Sequence, residues 1–418
     1  MKAFKDISKP LLGILIYTVA PLIRLIISTG FDWTAPVMFL GLILIFWGLY
    51  EMPNVHHHMY GKNGLMNLLF GFYVVLLIVM FLRGPSYWYR APGASLTQAV
   101  TAYLCSPYYF IWIIMPMVVL RMYPNYSLKG LIRLVCGVCV ICCLFTIFNF
   151  RELLSFSLMS AFHYDTEESL SKFMYARIGL EFAALVPISC YLSKRQRIIV
   201  YITFAVNILT CILLARRGAL AMSLLLVLFS FWLSFKDGNA TQRRLVLLAT
   251  VSLVLFFFLA NNTSLFGYLH ERLLLDNRSE VDETLMAQMN DWEKLFGKGL
   301  NGRYYLPYGA EDDPFNGWRY SSETGFFTIV LRGGYLMAIV YLVLMLVPAY
   351  LGMFRSNNRF CRAGGVFILW NIIYLYPFGV LTFNLNFFFI WMWVILCSLP
   401  QIRNMRESDI RSTFFGAL

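Results

Sequence analysis

The chain has 418 residues, of which 59% are hydrophobic and 13% are charged, and its mean hydropathy is +0.66. Because soluble proteins are about half apolar and about a quarter charged, this composition excludes a soluble multidomain enzyme, a disordered chain, a coiled coil and a secreted disulfide scaffold. A polytopic membrane protein remains, so the net charge of +12 must be divided between two sides of a membrane and indicates no nucleic-acid partner.

Twelve apolar runs follow one another along the chain, and each approaches the roughly 20 residues that cross about 30 Å of hydrocarbon. The first run follows three lysines, as in a signal peptide, but it contains Pro21 and Arg24 and lacks a cleavage site, so we expect a retained helix. The sequence therefore predicts an all-α polytopic membrane protein with about twelve transmembrane helices. The runs lie near residues 10–28, 34–52, 65–82, 103–120, 132–149, 178–193, 198–214, 218–235, 245–260, 328–353, 366–382 and 385–400.

The distribution of charge predicts how these helices are oriented. If both termini are cytoplasmic, 19 of the 34 Lys and Arg residues lie in cytoplasmic segments, whereas 17 of the 22 acids lie on the outer side. Short cytoplasmic loops are enriched in Lys and Arg. An even number of spans with both termini inside fits this distribution.

One outward connection is much longer than the others and divides the chain. It covers residues 261–324 and separates a membrane domain of nine spans (1–260) from a second membrane domain of three spans and a cytoplasmic tail (325–418). We call residues 261–324 the large outer loop. A second outward connection, 150–177, is of medium length.

The large outer loop contains a helical pattern. Leu285, Met289, Trp292 and Phe296 recur at three- and four-residue spacing. This spacing predicts an amphipathic helix over residues 281–296 that ends before a glycine. We expect its apolar stripe to lie on the membrane surface or on the outer ends of the spans.

Two arginines lie on the predicted outer side in a very short turn. Arg216 and Arg217 belong to the four residues that join the seventh and eighth predicted spans. Arginines at this position run against the positive-inside bias. They are either an interfacial pair that snorkels or an anion site, and we favour the anion site because guanidinium groups bind phosphate through paired hydrogen bonds.

The large outer loop carries further charged candidates. Acids interleave with its basic residues, so most of these are expected to form surface ion pairs of little energetic weight. Glu323 is the last acid before the tenth predicted span, where a carboxylate is also favoured simply by the helix dipole. The basic residues of the loop are Arg272, Arg278, Lys294, Lys298, Arg303 and Arg319.

We expect no metal and no other cofactor. Three consecutive histidines, His56–His58, cannot all face one ion from a helix. Polytopic metal-dependent sugar transferases usually carry their acids in the first outer loop, and the acidic run Glu311–Asp313 does not lie in that loop. The glycine pattern Gly297–Gly302 follows no predicted strand, so it does not indicate a dinucleotide site.

Three stretches on the predicted outer side carry a family resemblance. They are Leu214–Ala219; Asp276–Arg278 followed by Trp292 and Leu295–Gly299; and Ser322–Phe327, which continues into Leu331–Leu336. In order and spacing they resemble the bacterial O-antigen polymerase and O-antigen ligase superfamily, polytopic glycosyltransferases that act on undecaprenyl-diphosphate-linked glycans. The resemblance covers roughly residues 200–345.

The resemblance implies a metal-independent, inverting glycosyl transfer at the outer face of the bacterial inner membrane. Arg217 takes the place of the family arginine, and Arg216 stands where Ser or Thr is usual. Ligases usually carry a His-Asn pair where this chain has Ser322-Glu323, and the histidine of the large outer loop, His270, lies about fifty residues too early. This departure favours a polymerase of lipid-linked repeat units, producing O-antigen or capsule.

The chemistry implied by the resemblance assigns roles to the charged residues. We expect Arg217 and Arg278 to stabilise the departing diphosphate, and Glu323 to accept the proton of the attacking sugar hydroxyl. The partners implied are undecaprenyl-diphosphate-linked oligosaccharides, membrane lipid and a protein that regulates chain length. Tyr304, Tyr305, Tyr320 and Asp276 remain alternative bases, and the residues expected to contact substrate are Arg216, Arg272, Arg303 and Arg319.

Other functions remain open from the sequence. An O-antigen ligase would use the same donor with a different acceptor. A lipid-linked oligosaccharide flippase or another transporter would be expected to show ionisable residues near mid-membrane and related halves. A cell-wall polymerase of the shape-and-division type also has a large outer loop, but generally has about ten spans.

Overall fold

The structure is a computed structural model. It describes residues 7–26, 34–52, 64–84, 107–123, 127–151, 153, 180–213, 217–237, 278–306, 317–377 and 385–416. Its helices before the large outer loop are α1 (Lys9–Ile26), α2 (Thr34–Glu51), α3 (Gly64–Arg83), α4 (Pro107–Met122), α5 (Leu128–Phe148), α6 (Lys194–Leu213) and α7 (Arg217–Asp237). The elements that follow are α8 (Arg278–Ala287), α9 (Asp291–Phe296), β1 (Tyr304–Tyr305), β2 (Trp318–Arg319), α10 (Gly325–Phe354), α11 (Arg359–Tyr374), α12 (Leu385–Ser398), α13 (Pro400–Arg403) and α14 (Glu407–Ile410), with a π-helical turn at Arg411–Phe415.

Within the described residues, six helices are long and apolar enough to cross a membrane: α2, α3, α5, α10 and the greater parts of α6 and α7. Two further apolar helices are shorter, Lys9–Ala20 and Leu385–Ser398. These helices confirm the prediction of an all-α protein that is embedded in a membrane. The total of twelve spans and the side of each terminus stay predictions, and the predicted ninth span, 245–260, lies outside the described residues.

Helix α12 forms the centre of the bundle. Every one of its residues is buried, including Trp391 and Trp393, and it packs against α4, α10 and α11. A helix that is apolar all round is stable only when neighbours cover every face. In α3, by contrast, Leu65, Leu68 and Leu82 are exposed on one side while the opposite side packs inward, as expected for a helix at a lipid-facing surface.

The sixth predicted span is not a continuous α-helix. Residues Leu180–Leu185 and Ser189–Tyr191 form 3-10 turns joined by a non-helical stretch that contains Pro187, which has no N–H to donate. Asn386 of α12 donates to the carbonyl of Leu180 and accepts from the N–H of Ala184. The prediction near 178–193 is therefore wrong for these residues, because a buried side chain satisfies the backbone groups that a helix would otherwise pair.

The amphipathic helix predicted over 281–296 is divided into α8 and α9. Asn290 caps α9 through a capping box: its side chain accepts from Glu293 N–H, and the Glu293 carboxylate accepts from Asn290 N–H. The predicted end is confirmed, since Gly297 terminates α9 with φ +71°. Leu285 is buried, but Trp292 is 72% exposed and stacks on Phe296 at 5.6 Å.

The C-terminal segment covers the end of the bundle opposite to the large outer loop. Tyr191 donates its hydroxyl hydrogen to Glu407 Oε2 at 2.6 Å and stacks on Phe415 at 4.8 Å. Asn358, at the start of α11, donates to the carbonyl of Ile402 at 2.7 Å. The segment after α12 is thus fastened to two other parts of the chain.

Candidate functional site

Residues 298–300 of the large outer loop are hydrogen-bonded to two apolar helices, α3 and α10. Backbone N–H groups of Lys298 and Gly299 donate to the carbonyls of Leu331 and Arg332 in α10, at 2.7 and 2.9 Å. Leu300 N–H donates to the carbonyl of Met80 in α3 at 3.0 Å. These hydrogen bonds hold residues 298–300 against helices that are distant in sequence.

Two glycines make this close approach possible. Gly334 interrupts the helical geometry of α10 with φ +76°, and a Cβ built there would lie 2.1 Å from the carbonyl oxygen of Leu295. A Cβ on Gly297, which has φ +71°, would lie 2.3 Å from the carbonyl group of Arg332. Both positions combine a left-handed backbone with direct backbone contact, so neither accommodates a side chain without displacement.

A buried lysine ties together the segments of the loop. Lys298 is 8% exposed, and its ammonium group donates to the carbonyl of Gln288 at 2.9 Å and to that of Arg303 at 3.4 Å. The Glu293 carboxylate lies 4.0 Å away. The lysine thereby joins the end of α8, the start of α9 and the strand β1.

The short ribbon of β1 and β2 is fastened to α8 by a side-chain amide. Gln288 donates to the carbonyl of Tyr305 at 2.6 Å and accepts from its N–H at 2.8 Å, as a neighbouring strand would. The antiparallel register places Tyr304 opposite Arg319 and Tyr305 opposite Trp318. Tyr304 and Arg319 therefore share one face of the ribbon.

A buried carboxylate connects α8 to the residues before α10. Asp282 is 8% exposed, and its carboxylate accepts hydrogen bonds from the hydroxyl groups of Ser322 and Thr324, the latter at 3.1 and 3.2 Å to the two oxygens. Ser322 N–H in turn donates to the hydroxyl of Thr328 at 3.1 Å. We call Asp282, Ser322, Thr324 and Thr328 the Asp282 network.

Glu323 lies between the two hydroxyl residues that bind Asp282. It is exposed, while Ser322 and Thr324 on either side are buried. The Asp282 network thus anchors the backbone on both sides of Glu323 and leaves its own side chain open to solvent. Asp282 is not one of the apolar residues of the predicted amphipathic helix, yet it is buried.

The buried phenol of Tyr304 is influenced by three charged residues. Tyr304 is 1% exposed, and its hydroxyl donates to the carbonyl of Ser321 at 3.4 Å. Burial raises the pKa of Tyr304 to about 12, Arg319 opposes this effect, and the negative charges of Asp282 and Glu323 add to it. Tyr304 is therefore within electrostatic range of Arg319, Asp282 and Glu323.

The other predicted site residues are distributed as follows. The guanidinium of Arg303 lies 4.2 Å from the centre of the Trp318 ring, a cation–π arrangement on the ribbon. Arg216 and Arg272 lie outside the described residues, and for Arg217 and Arg278 only the backbone is described.

Arg278 is connected to the Asp282 network through helix geometry. It is the first residue of α8, and Asp282 is four residues later. Positions four apart lie on the same side of an α-helix and about 6 Å apart along its axis. The start of α8 is therefore on the side from which Asp282 reaches Ser322 and Thr324.

The start of α7 lies at the same end of the bundle. Helices α7 and α11 are antiparallel, because Arg359 donates to the Ser234 hydroxyl at 3.1 Å and Trp370 donates to the carbonyl of Met222 at 2.9 Å. Arg217 is five residues before Met222, and Leu375 is five residues after Trp370. Because the two helices are antiparallel, both residues lie about 7.5 Å from the Trp370–Met222 contact, in the same direction along the helix axes.

The carbonyl of Leu375 accepts a hydrogen bond from the N–H of Gly325, the first residue of α10, at 2.6 Å. The backbone of Arg217 therefore lies at about the same position along the bundle axis as the N-terminus of α10. The first residue of α10, Gly325, is two residues after Glu323. The arrangement brings three helix N-termini and the ribbon to one end of the bundle. A carboxylate, an arginine on the ribbon and two positions occupied by arginine surround this end, a combination suited to an anionic substrate that carries hydroxyl groups.

The acidic and histidine runs weighed as metal ligands, Glu311–Asp313 and His56–His58, lie outside the described residues. Within the described ranges, no three His, Cys, Asp or Glu side chains are grouped so that they could hold an ion. The residues that sequence reasoning missed at this end are Asp282 and its two hydroxyl donors. Their signal is weak, since it amounts to an acid one turn after Arg278 and a Ser-x-Thr around Glu323.

No protein-family model matches the chain, and neither a curated protein nor a solved structure has significant similarity to it.

Proposed function

We propose that this protein is a glycosyltransferase that polymerises undecaprenyl-diphosphate-linked oligosaccharide units into a surface polysaccharide. The observation that carries the proposal is the Asp282 network, which holds Glu323 exposed at the N-terminus of α10. At that end α8 begins with Arg278 and α7 begins with Arg217. A candidate base and candidate diphosphate ligands thus belong to one end of an apolar helical bundle.

In the proposed reaction, a sugar hydroxyl of the acceptor attacks the anomeric carbon of the donor. A new carbon–oxygen bond forms as the bond from the anomeric carbon to the diphosphate oxygen breaks, and the electron pair leaves with undecaprenyl diphosphate. Glu323 accepts the hydroxyl proton. Arg217 and Arg278 stabilise the negative charge of the leaving group, with no metal required for that role. A single displacement of this kind inverts the configuration at the anomeric carbon.

The remaining substrate contacts follow from the same geometry. Arg319 is paired with Tyr304 in the ribbon, and in this proposal it contacts the sugars of the substrate. The lipid-facing side of α3 offers an apolar surface on which the polyprenyl chain of the donor can lie, since its exposed residues are leucines and other large apolar side chains. The reaction belongs at the outer face of a bacterial inner membrane, with both termini cytoplasmic.

Charge placement in the bundle supports transfer over transport. Among the described residues, the buried charged side chains are Asp282, Lys298 and Arg359. The first two belong to the large outer loop and the third begins α11, whereas a proton- or ion-coupled transporter needs ionisable groups near mid-membrane. The buried polar residues inside helices, such as Asn207 and Ser223, are neutral and bind each other at 3.1 Å.

The test is a glycan ladder from a strain that lacks the gene, restored with parent or variant chains. We expect Glu323→Gln and Arg217→Ala to be inserted at parental abundance but to leave only single-repeat glycan on the final carrier. Matched controls are Glu283→Gln, an exposed acid on α8, and Arg195→Ala, an exposed arginine at the other end of the α6–α7 hairpin. Both controls should restore the full ladder.

Other outcomes would reject the proposal in distinct ways. Long polymer that stays attached to the lipid carrier in the deletion strain would indicate a ligase. Lipid-linked repeat units that accumulate on the cytoplasmic side would indicate a flippase. A full ladder from Glu323→Gln would show that Glu323 is not the base.

A further inference from the structure

We propose that Asp282 is a positioning residue for Glu323, and this inference rests on the proposed function. The carboxylate of Asp282 accepts hydrogen bonds from the residues immediately before and after Glu323, Ser322 and Thr324. Fixing both neighbours of a residue fixes its backbone. Asp282 of α8, about 40 residues earlier in the chain, therefore determines the direction in which the exposed side chain of Glu323 points.

Residues 320–324, between β2 and α10, belong to no helix or strand. Ser322 and Thr324 precede the first helical residue, Gly325, so their N–H groups have no backbone carbonyl of α10 to bind. Ser322 N–H donates instead to the Thr328 hydroxyl at 3.1 Å, and Thr324 N–H donates to the Ser322 hydroxyl oxygen at 3.3 Å. Because that same Ser322 hydroxyl donates to Asp282, loss of the carboxylate loosens the backbone contacts too.

A helix-stabilising role does not account for Asp282. Favourable interaction with the helix dipole is confined to about the first turn, and Asp282 is the fifth residue of α8. Its side chain is buried at 8% exposure, whereas the neighbouring acid Glu283 is exposed. A buried carboxylate is costly unless charged hydrogen bonds compensate for the water it loses, and those bonds lead to the two neighbours of Glu323.

Asp282 also determines where α8 lies relative to Glu323. Position 278 is one turn before Asp282 on the same side of α8. The Asp282 network therefore sets the spacing between a candidate diphosphate ligand, Arg278, and the candidate base. A displacement of about 1 Å between groups that act on one substrate can lower the rate about 100-fold.

The test compares Asp282→Asn with the control Glu283→Gln. The assay is polymerisation of the lipid-linked single repeat units that accumulate in the deletion strain, with kcat and KM measured separately on purified protein. Asn has nearly the volume of Asp but carries no charge and offers one oxygen acceptor in place of two. We expect kcat to fall about 100-fold with KM changed by less than about threefold, and Glu283→Gln to behave as parent.

Dependence on Glu323 distinguishes positioning from general destabilisation. Loss of a general base lowers a rate about 10²–10⁴-fold, so purified Glu323→Gln keeps a residual turnover that can be measured. Because Asp282 is proposed to act mainly through Glu323, Asp282→Asn should lower this residual turnover by a much smaller factor than it lowers that of the parent. A purely structural role predicts the same fractional loss in both backgrounds.

Hydrogen exchange supplies a measurement that needs no turnover. In Asp282→Asn, we expect the amides of residues 322–324 to lose protection while those of residues 298–300, bound to α3 and α10, keep it. Unchanged protection at 322–324 would overturn the proposal, and so would loss of protection throughout the loop.

The outcomes separate this inference from the proposed function. If Glu323→Gln polymerises normally, the assignment of the base fails, whatever Asp282 does. If Glu323→Gln is inactive but Asp282→Asn keeps parental kcat, the role of Asp282 alone is wrong.

Discussion

Replacement of Gly334 by Ala tests how the large outer loop is seated. Gly334 has φ +76° and ψ 176°, a conformation essentially restricted to glycine. A Cβ at this position would lie 2.1 Å from the carbonyl oxygen of Leu295, and real Cβ atoms essentially never approach closer than 3.0 Å. The loop and α10 must therefore separate by about 0.9 Å, or α10 must straighten at this point. Either change disturbs the hydrogen bonds from Lys298 and Gly299 to α10.

The magnitude follows from two contributions. The backbone conformation costs a non-glycine residue about 1–3 kcal/mol, and an added carbon in filled space costs about 1–3 kcal/mol more. We expect the seated arrangement to lose about 2–6 kcal/mol in Gly334→Ala. The loop should therefore detach locally from α10 while the bundle stays folded.

The assay is hydrogen exchange in detergent, followed at the amides of residues 298–300. A loss of about 2 kcal/mol corresponds to roughly 30-fold faster exchange through local opening. Gly71→Ala is the matched control, because Gly71 lies in α3 and an added Cβ meets nothing within 4 Å. If the loop amides exchange equally slowly in both variants, the steric argument is refuted.

Two further substitutions test contacts that hold the fold together. Lys298→Met removes the ammonium that donates to the carbonyls of Gln288 and Arg303 and should cost about 1.5–3 kcal/mol, seen as a lower Tm than that of Lys294→Met, whose side chain is 38% exposed; equal Tm values would contradict it. Asn386→Leu leaves a carbonyl and an N–H of the 180–185 turn buried without their partner, at about 1–3 kcal/mol for each group. Limited proteolysis should then cut the chain near residues 180–191, and parental resistance would show that the amide is dispensable.

Much of the membrane architecture follows from local hydropathy. The long apolar runs near 34–52, 65–82, 132–149, 198–214, 218–235 and 328–353 each correspond to a helix of sufficient length. Such runs must hydrogen-bond within themselves in lipid, so a helix is the outcome wherever a run is uninterrupted. Residues 180–191 differ because Pro187 interrupts the run and Asn386, about 200 residues later, satisfies the exposed backbone groups.

The candidate site was only partly accessible from the residues. Glu323 was selected as the last acid before the predicted tenth span and Arg319 as a basic residue of the large outer loop, and the structure pairs Arg319 with Tyr304 in the ribbon. Asp282 was not selected, since acids outside the apolar stripe of an amphipathic helix are expected to face solvent. Its burial depends on hydroxyl groups 40 and 42 residues later in the chain, and no local pattern reports a contact of that range.

The sequence by itself determined that the chain is apolar, helical and embedded in a membrane, and that α9 ends at Gly297. These properties depend on composition and on residues within a few positions of each other. Only the tertiary structure decided that Gly334 receives the large outer loop and that Asp282 holds the residues around Glu323. Each of these features exists because segments distant in sequence fill the same space and satisfy one another's polar groups.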